Sequence, residues 1–230
     1  MRQKLRIVVM TICAVMLFAS CGNASSTAAS SSTAVSSEEA SSSKLESVDE
    51  KVTAPSSEKI IEEVEPVEPP DGDFRVGFWG DHAEMIKQYE TADFVGEVEG
   101  CLIYTGDVAG YAADILYYFD EAGVLYQGIY GLTETYQQGA TYINRYTILK
   151  DSLTSKYGEP KSDEIITLSH LAEYTDAGTA LDLGYTAYRT KWTTDDTEIM
   201  MALMNETGDI RFVIVYSDIN HEEVHNTEGL

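Results

Sequence analysis

Ile199-Met200-Met201-Ala202-Leu203-Met204-Asn205-Glu206-Thr207-Gly208-Asp209-Ile210-Arg211-Phe212-Val213-Ile214-Val215-Tyr216 decides the fold class. An apolar run leads to Asn205-Glu206-Thr207-Gly208-Asp209. After that turn, Ile210, Phe212, Ile214 and Tyr216 alternate with Arg211, Val213, Val215 and Ser217. Alternation with period two is the pattern of a strand, and a short polar link containing Gly makes the pair an antiparallel hairpin. The same grammar occurs earlier. Ile115, Tyr117 and Phe119 alternate with Leu116 and Tyr118, the turn Asp120-Glu121-Ala122-Gly123 follows, and Val124 to Tyr130 returns.

Helices precede both hairpins. Ile143, Tyr146, Leu149, Leu153 and Tyr157 recur at spacings of three and four, so they form one helical stripe. Gly158 fits the position after that helix, and Pro160 blocks its continuation. A shorter helix is expected from Asp81-His82-Ala83-Glu84, with Asp81 as its N-cap, continuing through Ile86 and Tyr89. One more strand is expected ahead of each hairpin, at Gly100 to Tyr104 and at Tyr185 to Thr193. The order helix, strand, hairpin therefore occurs twice. It predicts an α+β domain over 72–220: an antiparallel sheet with helices on one face, built from tandem repeats at about 74–135 and 140–218, then a polar tail at 221–230.

The beginning of the chain is different in kind. Arg2, Lys4 and Arg6 precede thirteen uncharged residues, Ile7 to Ala19. A bilayer-spanning helix needs about 20 apolar residues, so a secretory signal over 1–20 is the expected reading. Leu17-Phe18-Ala19-Ser20-Cys21 resembles the lipobox of bacterial lipoproteins, with Phe18 where Leu is usual. That resemblance implies lipidation of Cys21, an anchor in the cell membrane and an extracytoplasmic location. Residues 21–71 are rich in Ser, Ala, Glu and Pro and poor in aromatics, the composition of a disordered tether. As a coil, such a segment spans about 40 Å.

The chain of 230 residues carries a formal charge of −24. That charge repels nucleic-acid phosphates and anionic headgroups, so nucleic acid is not an expected partner and lipid rather than a basic patch must hold the membrane. After removal of the signal, Cys101 is the one thiol beside Cys21. It lies in an apolar strand-like run and reads as a small buried hydrophobe rather than a nucleophile.

Phe78-Trp79-Gly80 before a short helix, Phe119 to Leu125, and Lys156-Tyr157-Gly158-Glu159-Pro160 together resemble the beta-lactamase-inhibitor-protein-like group of envelope lipoproteins. The resemblance covers about Phe74 to Asp218. It also fits Gram-positive lipoproteins of uncharacterised function. It implies protein binding through a sheet face, with no chemistry.

The residues add little chemistry of their own. No Gly-rich phosphate loop or His-Glu-x-x-His is present. His221 and His225 read as members of a solvated tail. Asp120-Glu121 and Asp195-Asp196 lack the alternating oxygen ligands of a calcium loop. Ser169-His170 are sequence neighbours, whereas a triad is assembled in space. No cofactor, metal or catalytic residue is assigned. Among the tyrosines, Tyr118 and Tyr130 are the candidate exposed binding aromatics, and Tyr126 is expected on the face of Tyr130. The expected function is a surface-tethered binding or adaptor module for an extracytoplasmic protein or envelope polymer. The alternatives are an envelope hydrolase using carboxylates, or an inhibitor of a secreted enzyme.

Overall fold

The computed structural model describes residues 70–221. Cys21, the expected signal, residues 22–69 of the expected tether, and 222–230 lie outside the described residues. Helix α1 is Ala83–Tyr89 and is followed by strands β1 (Asp93–Val98), β2 (Cys101–Val108), β3 (Tyr111–Phe119) and β4 (Leu125–Leu132). Helix α2 (Gly139–Tyr157) opens the second half. Strand β5 (Ser162–Thr167), a 3-10 turn (His170–Tyr174), helix α3 (Ala177–Asp182), β6 (Thr186–Thr193), β7 (Thr197–Glu206) and β8 (Asp209–Asp218) complete it.

All eight strands form one antiparallel sheet in the order β1-β2-β3-β4-β8-β7-β6-β5. Each half is a four-strand meander, and the last strands of the two meanders join at the centre, from Gln127↔Ser217 to Gly131↔Val213. The α+β class, the helix-led halves and the two predicted hairpins are present. Each half also has a strand beyond the three expected. The additional strands, β1 and β5, are the sheet edges, and their residues are largely exposed. An exposed edge strand lacks the apolar alternation that marks its inner neighbours.

The hairpins close through local chemistry. Thr207 (φ 54°) and Gly208 (φ 100°) both take the left-handed conformation, and the Gly208 N–H donates to Asn205 Oδ1 at 2.8 Å. Two such residues twist in the sense of the strands they connect. Glu99-Gly100 and Ala109-Gly110 make the same two-residue link. The β3–β4 loop is longer: Asp120 Oδ1 accepts the N–H of Ala122 and of Val124. The two predicted turns thus occupy equivalent places without sharing a geometry.

One face of the sheet holds the main core. Strand register lines up Tyr104, Ile115, Tyr130, Ile214 and Met201 in one row, and Leu102, Tyr117, Gly128, Tyr216, Ile199 and Trp192 in the next. Gly128 leaves a hole in the second row. A Cβ there would lie 2.1 Å from the Phe74 ring. Phe74 fills the hole, with ring centroids 5.0 Å from Tyr117, 4.8 Å from Tyr130 and 5.3 Å from Tyr216. Helix α2 covers the other half of this face with Tyr142, Tyr146, Leu149 and Leu153. Ile86 of α1 and Leu181 of α3 enter the same core. Burial of a side chain of this size contributes about 2 kcal/mol, which exceeds any propensity term of these short helices.

The opposite face has its own apolar row, Ile103, Leu116, Ile129, Val215 and Met200, which crosses β2, β3, β4, β8 and β7. Ala202 on β7 and Ala187 on β6 lie on the same face in neighbouring rows. These residues are buried except Met200, which is half-buried, while the buried side chains of α1, α2 and α3 all sit on the other side.

Three local expectations change. Asp81 does not cap α1: His82 occupies the N-cap, and Asp81 Oδ2 instead accepts the Phe78 N–H at 2.9 Å. Tyr126 and Tyr130 do not share a face, because a bulge between Tyr118 and Phe119 shifts the register and turns Leu125 into the core. His221 is not solvated: its ring stacks on Tyr126 at 4.5 Å.

Candidate functional site

The most enzyme-like constellation is the buried carboxylate of Glu90, whose side chain has no exposed surface. Oε2 accepts Arg75 Nε at 2.8 Å and the Tyr117 hydroxyl. Oε1 accepts Arg75 Nη2 and the Ala92 N–H, both at 2.8 Å. Burial pushes this carboxyl up, but the bonds from Arg75, Tyr117 and Ala92 outweigh that and hold it below its ordinary value. Burial and the neighbouring carboxylate push Tyr117 up, so its proton stays in place. Each carboxylate oxygen already accepts two hydrogen bonds, which leaves no lone pair to take a substrate proton. This is a clasp tying the segment before α1, the end of α1 and β3 together. Its partners lie 15 and 27 residues away in sequence, and no motif spans such a gap.

The other polar candidates are also engaged structurally. Ser169 Oγ accepts the Leu171 N–H at 3.2 Å and so caps the 3-10 turn. Asp196 Oδ1 accepts the hydroxyls of Thr194 and Thr197. Asp120 holds the β3–β4 turn, as described above. Cys101 is buried, with Sγ 3.5 Å from the Leu102 carbonyl. Among the described residues, no group of three or more His, Cys, Asp or Glu is placed to hold a metal ion. Among the same residues, no helix is long and apolar enough to cross a membrane.

The two candidate tyrosines part company. Tyr118 lies in the row of Cys101 and Gln127, on the face away from the helices, and is half-buried. Tyr130 lies beneath Phe74 with the Arg75 guanidinium 6.0 Å from its ring, and only 8% of it is exposed. It belongs to the core and is not an exposed aromatic.

Exposed apolar surface gathers elsewhere, on an insertion. β1 and β2 are linked by Glu99-Gly100, whereas residues 168–185 separate β5 from β6. The insertion is anchored at its far end. Asp176 caps α3 through Thr179 N at 3.0 Å and Thr179 Oγ1 at 2.7 Å. Gly178 packs against α2 closely enough that a Cβ on Gly139 would lie 2.3 Å from the Gly178 carbonyl oxygen. Ala180 and Leu181 are buried. The near end buries nothing: the 3-10 turn has no buried residue. There Leu168 and Tyr174 are 58% and 80% exposed, and Ile165 of the adjoining strand 65%. Leu171 and Leu183 are exposed too.

No family model, curated protein or solved structure matches this chain. The functional reading therefore rests on the residues. A defined backbone that turns four large apolar side chains and a tyrosine toward water is suited to contact with another molecule. Sequence reading placed the 3-10 turn and α3 in no element. Leu168, Leu171 and Tyr174 do recur at intervals of three, a signal of one shared side on a short helical turn.

Proposed function

We propose that this chain is an extracytoplasmic binding module, lipid-anchored to the cell membrane through Cys21, that presents its domain to a protein or polymer of the envelope. Catalysis has no part in this reading. The observation that carries it is the run of exposed apolar side chains on β5 and the structured insertion after it: Ile165, Leu168, Leu171 and Tyr174 within ten residues of sequence. Monomeric proteins seldom expose large apolar side chains in a contiguous patch without a partner for them. The expected tether suits such a module because it carries the patch away from the bilayer while the acyl chains hold the membrane.

The test pairs Leu171→Ser with Tyr174→Ser in one variant. The thermal midpoint is expected to stay within about 2 °C, because both side chains already face water. Crosslinked capture of the envelope partner from intact cells is expected to fall at least tenfold, a loss of about 1.4 kcal/mol or more. Unchanged capture by the double variant contradicts the reading. So does turnover of an envelope substrate that a single carboxylate substitution abolishes. The anchor is tested separately: labelled fatty acid should enter the wild-type protein and not the Cys21→Ala variant.

A further inference from the structure

The sheet has two edges, and they are not equally protected. At β1 the register breaks between Phe94 and Gly96. The Phe94 ring folds over Tyr104 at 5.2 Å, and Lys87 of α1 reaches Glu97 at 2.8 Å. Both edges carry charged bridges, so the bulge is the protection that sets β1 apart. β5 has neither a bulge nor a glycine or proline. It runs in unbroken register with β6 from Ser162↔Lys191 to Thr167↔Thr186.

The hydrogen-bond phase of β5 is fixed by its neighbours. Leu168 N donates to Tyr185 O, so residues 162, 164, 166 and 168 address β6. The β6–β7 ladder agrees, since Thr194 N donates to Thr197 O and assigns the even residues of β6 to β7. The N–H and C=O groups of Asp163, Ile165 and Thr167 therefore point outward, away from the sheet. All three residues are exposed. The two acidic side chains of the strand are paired: Asp163 with Lys150 and Glu164 with Arg189, each at 2.7 Å. Past the end of β5, the insertion presents Leu168, Leu171 and Tyr174 as an exposed apolar ledge. Its acidic side chains are Glu173, Asp176 and Asp182, with Lys161 at the opposite end of the strand.

We propose that the open edge of β5 accepts an extended polypeptide segment of alternating apolar and basic side chains as a ninth strand, with the Leu168, Leu171 and Tyr174 ledge packing on its apolar residues. Main-chain pairing gives such a site its affinity, and the neighbouring side chains give it selectivity. The acidic insertion and the chain's net charge of −24 favour a basic segment over a second copy of this chain. This inference rests on the binding reading above and specifies where and how the partner docks.

Amide exchange resolved by residue tests it, on the chain carrying Cys21→Ser to avoid lipidation. The probe is a ten-residue peptide alternating Val and Lys, compared with one alternating Val and Glu. The Val-Lys peptide is expected to slow exchange at Asp163, Ile165 and Thr167 about tenfold or more, with Glu164 and Ile166 unchanged. The Val-Glu peptide is expected to do nothing. Ile165→Pro removes one outward N–H while sparing the ladder to β6, and should abolish the effect. If that variant does not fold, the alternating protection in the unsubstituted chain decides alone.

No slowing with the Val-Lys peptide overturns the proposal. Protection spread evenly over 162–174 also overturns it, because that describes ledge packing without strand addition, and it leaves the binding reading standing. Protection at 163, 165 and 167 without peptide, rising with protein concentration, assigns the edge to a second copy and overturns it as well. Failure of the binding reading is recognised independently, by unchanged cellular capture in the Leu171→Ser, Tyr174→Ser variant.

Discussion

Arg75, Glu90 and Tyr117 form a set of side chains that is costly to disturb. Arg75→Met would leave the Glu90 carboxylate buried with half its donors gone, and should destabilise the domain by about 3 kcal/mol in urea unfolding. The acid limb of stability follows from the same site. Glu90 is held below its ordinary value, so its contribution is fully present above the unfolded-state value and is lost as pH falls through the folded one. Glu90→Gln should therefore lower stability at neutral pH and flatten its decline as pH falls below the ordinary carboxylate value. An equally steep acid limb in that variant would contradict the assignment. Phe74 and Gly128 give a second residue-scale test. Gly128→Ala drives a methyl group into the Phe74 ring and should cost about 2 kcal/mol, with no rescue from the change's gain in strand propensity. None of these sites was legible in sequence. Glu90 looks like one acid among many, and Tyr130 reads as a strand aromatic until Phe74, distant in sequence, is known to lie on it.

At the scale of elements, what could be read was what local chemistry specifies. The α2 stripe and its Gly158 exit are both present, with the Gly158 N–H donating to the Thr154 carbonyl at 2.9 Å. β3, β4, β7 and β8 were legible because each buries one face or both, which forces an apolar pattern. β1 and β5 were not, because edge strands with exposed residues carry no such pattern. The two-residue links Glu99-Gly100 and Ala109-Gly110 were the available clue, a residue-Gly pair between two strand-like runs. The turn at Thr207-Gly208 carries a prediction. A β-branched residue at φ 54° is strained, and Asn tolerates that conformation, so Thr207→Asn should stabilise the domain by about 1 kcal/mol. A lowered thermal midpoint would show that this hairpin is not a two-residue left-handed turn in solution.

At the largest scale, the described domain is two meanders fused through β4 and β8 into one sheet, clothed by helices on one side. Duplication of the helix-strand-hairpin order was readable. The fusion was not, since it pairs residues about ninety positions apart. The halves differ most where residues 168–185 replace a two-residue link, and that difference sets the place of the proposed binding surface. The account is tested most directly by placing a photo-crosslinking amino acid at position 174 in intact cells, with position 152 on the exposed side of α2 as the control. It predicts a discrete crosslinked species from position 174 and none from position 152. No adduct at 174, or the same adducts from both positions, would contradict it.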